Sequence, residues 1–115
     1  MTELTPNVVV HGLLELSREL AELSRGLDQL EADAVNRRED HTMALSKAFL
    51  SADGAMDLRK HQSIVETHVE RLAAELAEAL VRGRRRQLEA IRVRIDVGRS
   101  AAAALRAEIT LGGVH

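Results

Sequence analysis

The residues with the clearest chemical potential are the arginines in the second half of the chain. Eight of them lie between positions 82 and 106, where the only acids are Glu89 and Asp96. Clustered guanidinium groups bind phosphates because they displace condensed counterions and form bidentate hydrogen bonds. The pattern predicts a nucleic-acid surface, and the expected contacts are Arg82, Arg84, Arg85, Arg86, Arg92 and Arg99.

Some of these arginines are also evenly spaced. Arg85, Arg92, Arg99 and Arg106 follow one another at intervals of seven residues, which is close to two helical turns, so on a helix they form one longitudinal row. Such a row suits a linear polyanion such as single-stranded DNA. The alternative is a solvated face paired with acids, because residues 1–54 hold ten acids against five Lys or Arg. No aromatic residue near the row is available to stack on bases.

The sequence has few residues arranged for thiol, metal or nucleophilic chemistry. There is no cysteine, which excludes disulfides and thiol catalysis. His61 and His68 share a helical face but stand about 10 Å apart, too far to bind one zinc ion directly. The carboxylates fall at surface positions of the predicted helices, and no nucleophile or phosphate-loop motif is present. We therefore expect a protein that is not an enzyme and has no metal and no cofactor.

Helices must position these residues, and the apolar pattern shows how they pack. Steps of three and four residues alternate from Val9 to Ala48, the spacing of a coiled-coil packing seam. The later part of the chain repeats the pattern. The predicted seam residues are Leu13, Leu16, Leu20, Leu23, Leu27 and Leu30 in the first half, and Leu88, Ile91 and Ile95 in the second half.

Between these two segments the spacing is less regular. A ladder of Val65, Val69, Leu72, Leu76 and Leu80 predicts that this part of the second arm also packs through its aliphatic face. The step from Leu80 to Leu88 is eight residues, so the two ladders are out of phase by one residue. The sequence leaves two alternatives, a bend or short break at Gly83 and a helix that continues through it.

Helix signals set the predicted boundaries. Thr5 and Pro6 suit a helix start, Asp53 and Gly54 signal a turn, and Gly112 with Gly113 suits a helix end. We expect a single helical domain over 1–115, with helices at about 6–52 and 57–111 and a turn at about 53–56. The fold class is all-α, a long helical hairpin or coiled-coil-like bundle that forms a homo-oligomer to bury its remaining apolar surface.

The composition indicates the cellular compartment of the protein and the class of partner it binds. No apolar stretch is long enough to span a membrane, and the first residues lack the basic cluster of a signal peptide. The sequence thus predicts a cytoplasmic protein without a membrane role. The alternative to nucleic acid is an unidentified protein partner, which an adaptor or inhibitor would bind through the apolar seam as a helix-in-groove contact.

The segment from Gln87 to Ser100, continuing through Ala107 to Ile109, resembles small helical proteins of tailed phages. The similarity lies in the order of helices and in the pattern Ala90-Ile91-Arg92-Val93-Arg94-Ile95. Among such proteins it is similar to the recombination mediators of the UvsY type over residues 40–110. That resemblance implies a ring-like oligomer that binds single-stranded DNA and loads a recombinase, with the Arg82–Arg86 cluster facing the DNA.

Overall fold

The computed structural model describes residues 4–112, and within them the fold is the predicted all-α, long helical hairpin. Helix α1 spans Pro6–Ser51, α2 spans Met56–Glu66 and α3 spans His68–Gly112. The hydroxyl of Thr5 accepts a hydrogen bond from the Val8 N–H at 3.3 Å, which caps one of the free donors at the start of α1. No strand occurs among these residues.

The turn between α1 and α2 depends on one glycine and one arginine. Gly54 has φ of +105°, a region that side-chain-bearing residues rarely adopt, so glycine is required there. The Arg59 side chain donates a hydrogen bond to the Phe49 carbonyl at 3.0 Å and lies 4.5 Å from the centre of the Phe49 ring. These two contacts hold the last turn of α1 against the first turn of α2.

The chain divides into two compact units. The turn unit is Gly26–Arg84, and the terminal unit combines the chain up to Arg25 with the chain from Arg85 onward. Both consist of antiparallel helix segments. In the turn unit Arg38 faces Glu78 at 3.9 Å. In the terminal unit α1 and α3 approach closely at Gly98, where an added Cβ would come within 2.6 Å of the Leu13 side chain.

The core is made of small and medium aliphatic side chains. In the terminal unit Leu88 and Ile91 retain only 3% and 4% of their exposure, and Ile95 is also buried. In the turn unit Ala34, Ala77 and Val81 form a buried cluster beneath leucines of α1. The leucines of α1 at the predicted seam positions are half-buried, namely Leu13, Leu16, Leu20, Leu23, Leu27 and Leu30.

The aliphatic ladder expected to pack in the turn unit instead faces solvent. Val65 is 74% exposed, Leu76 is 66% exposed, and Val69, Leu72 and Leu80 are also exposed. The residues that pack in their place are Ser63, Thr67, Ala74, Ala77 and Val81, which are all buried. The prediction that the aliphatic ladder forms this part of the seam is therefore wrong.

The reason is the register of the helix. Counting back from Leu88 in steps of four and three reaches Arg84, Val81, Ala77 and Ala74, so the true seam has no phase slip. The leucines of α1 lie over these small residues, and large side chains on one helix fill the space left by small ones on the other. A prediction from hydrophobicity alone chooses the opposite face of α3 for the seam, because that face carries the larger aliphatic side chains.

The second arm is interrupted at a place that the sequence did not indicate. Helix α3 continues through Gly83, whereas α2 and α3 are separated at Thr67. The buried Thr67 hydroxyl donates to the Ser63 carbonyl at 2.8 Å and competes with the helical pattern there. The backbone bonds from Thr67 to Ser63 and from Arg71 to Thr67 persist at 3.2 and 3.0 Å, so the helix faces keep their register across the interruption.

Because Gly83 lies inside a continuous helix, replacing it with alanine is expected to stabilise the protein. No atom lies within 4 Å of the position that the new Cβ would occupy, and alanine is favoured over glycine in helix interiors by about 1 kcal/mol. The Tm, followed by circular dichroism at 222 nm, should rise by about 4 °C. A lower Tm for Gly83→Ala would mean that the helix does require glycine flexibility at this position.

Candidate nucleic-acid interface

Helix α3 is uninterrupted over the whole arginine-rich segment, so regular helix geometry determines on which side of α3 each arginine lies. Arg85, Arg92, Arg99 and Arg106 occupy equivalent positions in successive heptads beside the seam, and we call them the arginine row. All four belong to the terminal unit. Neighbours in the row are separated by about 10 Å along the helix. All four side chains are exposed to solvent.

Arg84 differs from the other arginines predicted to contact nucleic acid. It is half-buried at a seam position of the turn unit, where its guanidinium group lies over the backbone of Gly26. A Cβ added at Gly26 would be 2.6 Å from Arg84 Nη1. Glycine on one helix thus makes room for arginine on the other, and Arg84 is a packing residue. Arg82 and Arg86 are exposed, and they lie on faces adjacent to that of the arginine row.

An open groove accompanies the arginine row in the terminal unit. Pro6, Val10 and Leu13 of α1 and Ala102 of α3 form its apolar lining, and Arg99 and Arg106 complete it. Its volume is about 410 Å³. Two cations one heptad apart beside an apolar floor can each bind a phosphate of the same strand while a base or sugar covers the floor. The sequence carries little signal for this groove, because Pro6 suits a helix start and its type does not indicate what it packs against.

Acidic neighbours compete only weakly for the row. Arg92 Nη1 lies 3.9 Å from Glu89 Oε2, one helical turn away, and both side chains are more than half exposed. Pairs of this kind contribute at most about 1 kcal/mol and weaken with salt. Among the described residues Arg99 and Arg106 have no ion-pair partner. Arg92, Arg99 and Arg106 can therefore bind phosphates at low cost.

The histidines between residues 4 and 112 do not assemble a metal site. His68 Nδ1 lies 3.2 Å from Arg71 Nη2, and Arg71 in turn contacts Glu75 at 3.4 Å. Within residues 4–112 no group of three or more His, Cys, Asp or Glu side chains is arranged to hold a metal ion.

A second groove, in the turn unit, was not predicted. Leu45, Phe49 and Leu50 of α1 and Ile64 of α2 line an open, mainly apolar space of about 520 Å³. Leu50 and Ile64 are exposed. The only sequence signal was that Leu45 and Phe49 lie beside the seam rather than on it.

Fold and surface together define a class: an all-α helical hairpin with an exposed arginine row on its second arm. In the part of the chain that the structure covers, no helix has a stretch both long and apolar enough to cross a membrane. No protein-family model matches the chain, and no curated protein or solved structure shows significant similarity to it.

Proposed function

We propose that this protein is a non-enzymatic, oligomeric accessory protein of the cytoplasm that binds single-stranded nucleic acid along the arginine row. The observation that carries the proposal is the alignment of Arg85, Arg92, Arg99 and Arg106 on one exposed face of a continuous helix. Guanidinium groups at regular intervals contact successive phosphates of a linear polymer without reading its sequence. The lack of aromatic residues beside the row makes phosphate contacts the main source of affinity.

The resemblance to recombination mediators of the UvsY type supports the choice of single-stranded DNA as the substrate. It adds a biological role, the loading of a recombinase onto DNA in a phage. The groove beside Arg99 and Arg106 is consistent with a flexible single strand, because unpaired bases can turn toward an apolar floor.

The test of this proposal is binding to a fluorescein-labelled single-stranded oligonucleotide, measured by fluorescence polarisation at 50 and 200 mM salt. Four phosphate contacts on a single strand correspond to a roughly 50-fold loss of affinity over that range. An affinity that does not change with salt would contradict binding of phosphates by the arginine row. An absence of binding at 50 mM salt would rule the proposal out.

A protein–protein adaptor is the second candidate function, and the groove of the turn unit favours it. Leu45, Phe49, Leu50 and Ile64 present an apolar space large enough for side chains of a partner helix. The packing seam is not available for this purpose, because its leucines already face the opposite arm. Failure to bind DNA together with capture of a defined protein through this groove would favour the adaptor.

A further inference from the structure

The second arm of the hairpin carries two apolar faces, and only one of them is used within the chain. Val65, Val69, Leu72, Leu76 and Leu80 form what we call the outer stripe. They lie on the side of α2 and α3 opposite the buried Ala74, Ala77 and Val81. All of these residues belong to the turn unit. We propose that the outer stripe is the interface with a second copy of this chain, packed antiparallel about a two-fold axis between Val69 and Leu72.

The first argument is that the other arm has no continuous apolar line. The corresponding outward positions of α1 in the turn unit include the polar, exposed Gln29, Asn36 and Glu39, and the exposed Met43 and Leu50 on that face are separated from each other by polar residues. A solvated helix does not need an apolar outer face, and five aliphatic side chains in one line exceed the scattered exposure that is normal for a monomer. The outer stripe is therefore a surface shaped for another helix.

The second argument is the order of residue types along the stripe. In an antiparallel pair Val65 meets Leu76 of the second copy, and Val69 meets Leu72. Each of these central layers then combines one valine with one leucine, so they have equal volume and pack evenly, while Leu80 lies beyond them at the end of the stripe. A parallel pair would stack valine on valine and leucine on leucine, which gives layers of unequal size. The pattern is thus self-complementary in the antiparallel sense, as an isologous interface requires.

The third argument is hydrogen-bond complementarity at the edge of the stripe, where an imidazole can donate to a carboxylate. His61, His68, Glu75 and Arg82 occupy the flanking positions. In the antiparallel register His68 of one copy lies opposite Glu75 of the other, and the two-fold axis repeats this pair. Glu75 has a side chain that is 58% exposed, which leaves it accessible to a second partner beside Arg71.

The size of the surface agrees with a modest dimer. Burying one aliphatic side chain removes roughly 100 Å² from water. The stripes of two copies, together with their polar flanks, would cover on the order of 1,000 Å², where specific interfaces begin. The proposal is independent of nucleic acid, since the outer stripe and the arginine row belong to different units.

Sedimentation equilibrium at 0.15 M salt tests the interface. The wild-type chain is expected to form a dimer at tens of micromolar, and the double variant Leu72→Gln/Leu76→Gln should raise the dissociation constant at least 100-fold. Both leucines are exposed, so the variant keeps its helical circular dichroism. The matched control is Leu14→Gln/Leu50→Gln, which changes two exposed leucines outside the stripe and should leave the dimer intact.

Cross-linking tests the orientation. The chain has no cysteine, so His68→Cys and Glu75→Cys each introduce a unique thiol. A short bismaleimide should link the two variants to each other when they are mixed and should link neither variant to itself. Efficient linking of each variant to itself would show a parallel pair and overturn the antiparallel register. A wild-type monomer at 100 µM, or a dimer insensitive to the Leu72 and Leu76 changes, would overturn the interface itself.

Discussion

Replacement of Arg92, Arg99 and Arg106 together by alanine is expected to weaken binding to single-stranded DNA about 100-fold at 0.1 M salt. Each phosphate contact on a single strand contributes about 0.7 to the slope of log affinity against log salt. Relative to 1 M salt, loss of three contacts therefore removes about two orders of magnitude at 0.1 M. The slope itself should fall by about 2. Fluorescence polarisation over a salt series measures both quantities.

The control must separate the position of the charges from their number. Arg18, Arg25 and Arg37 are three exposed arginines of α1, interspersed with Glu15, Glu19, Glu22 and Asp33. Changing these three to alanine alters the net charge by the same amount. It should reduce the affinity for DNA only a few-fold, through the electrostatic field of the whole protein. Equal losses for the two triple variants would show that binding responds to net charge alone, and the arginine row would lose its assignment.

The second large effect is expected in the core. Leu88→Ala should lower the free energy of unfolding by about 2–5 kcal/mol, because it removes a buried side chain and leaves a cavity between packed helices. Leu88 is 3% exposed, and a loss of this size is a large fraction of the 5–15 kcal/mol that stabilises a typical domain. Urea unfolding followed by circular dichroism at 222 nm gives the value.

Leu14→Ala is the matched comparison for Leu88→Ala. The chemical change is the same and both residues lie in the terminal unit, but Leu14 is 58% exposed. We expect a change of less than about 1 kcal/mol at this position. Comparable destabilisation by the two substitutions would mean that Leu88 does not face the opposite helix in solution.

The sequence was sufficient for the fold class because the strongest signals were local or periodic. The cap at Thr5 and the turn at Gly54 each depend on a few neighbouring residues, and the ladder of α1 contains leucine at six successive positions. The register of the second arm in the turn unit could not be predicted by hydrophobicity. Its inner face carries Ala74 and Ala77, while its outer face carries the larger Leu72 and Leu76. Burial depends on which face meets α1, and only the continuity of α3 decides that.

Much of the candidate site could likewise be predicted, since the spacing of the arginine row needs only a helix. Two features depend on contacts between segments distant in sequence. Arg84 belongs to the packing between α1 and α3 because Gly26 lies opposite it, and the groove at Arg99 exists because Pro6 and Val10 approach from the other arm. A single sequence contains no signal that pairs these residues.

The antiparallel contacts described above have a consequence for the order of folding. Phe49 and Arg59 meet ten residues apart in sequence, whereas Arg38 meets Glu78 after forty residues and Leu13 meets Gly98 after eighty-five. The entropy lost on closing a loop grows with its length, by about 0.6 kcal/mol for each doubling. Pairing of the two arms therefore nucleates most easily at the turn and propagates toward the chain ends. A defect near Gly54 delays every later contact. A defect near the termini affects only the final steps of folding.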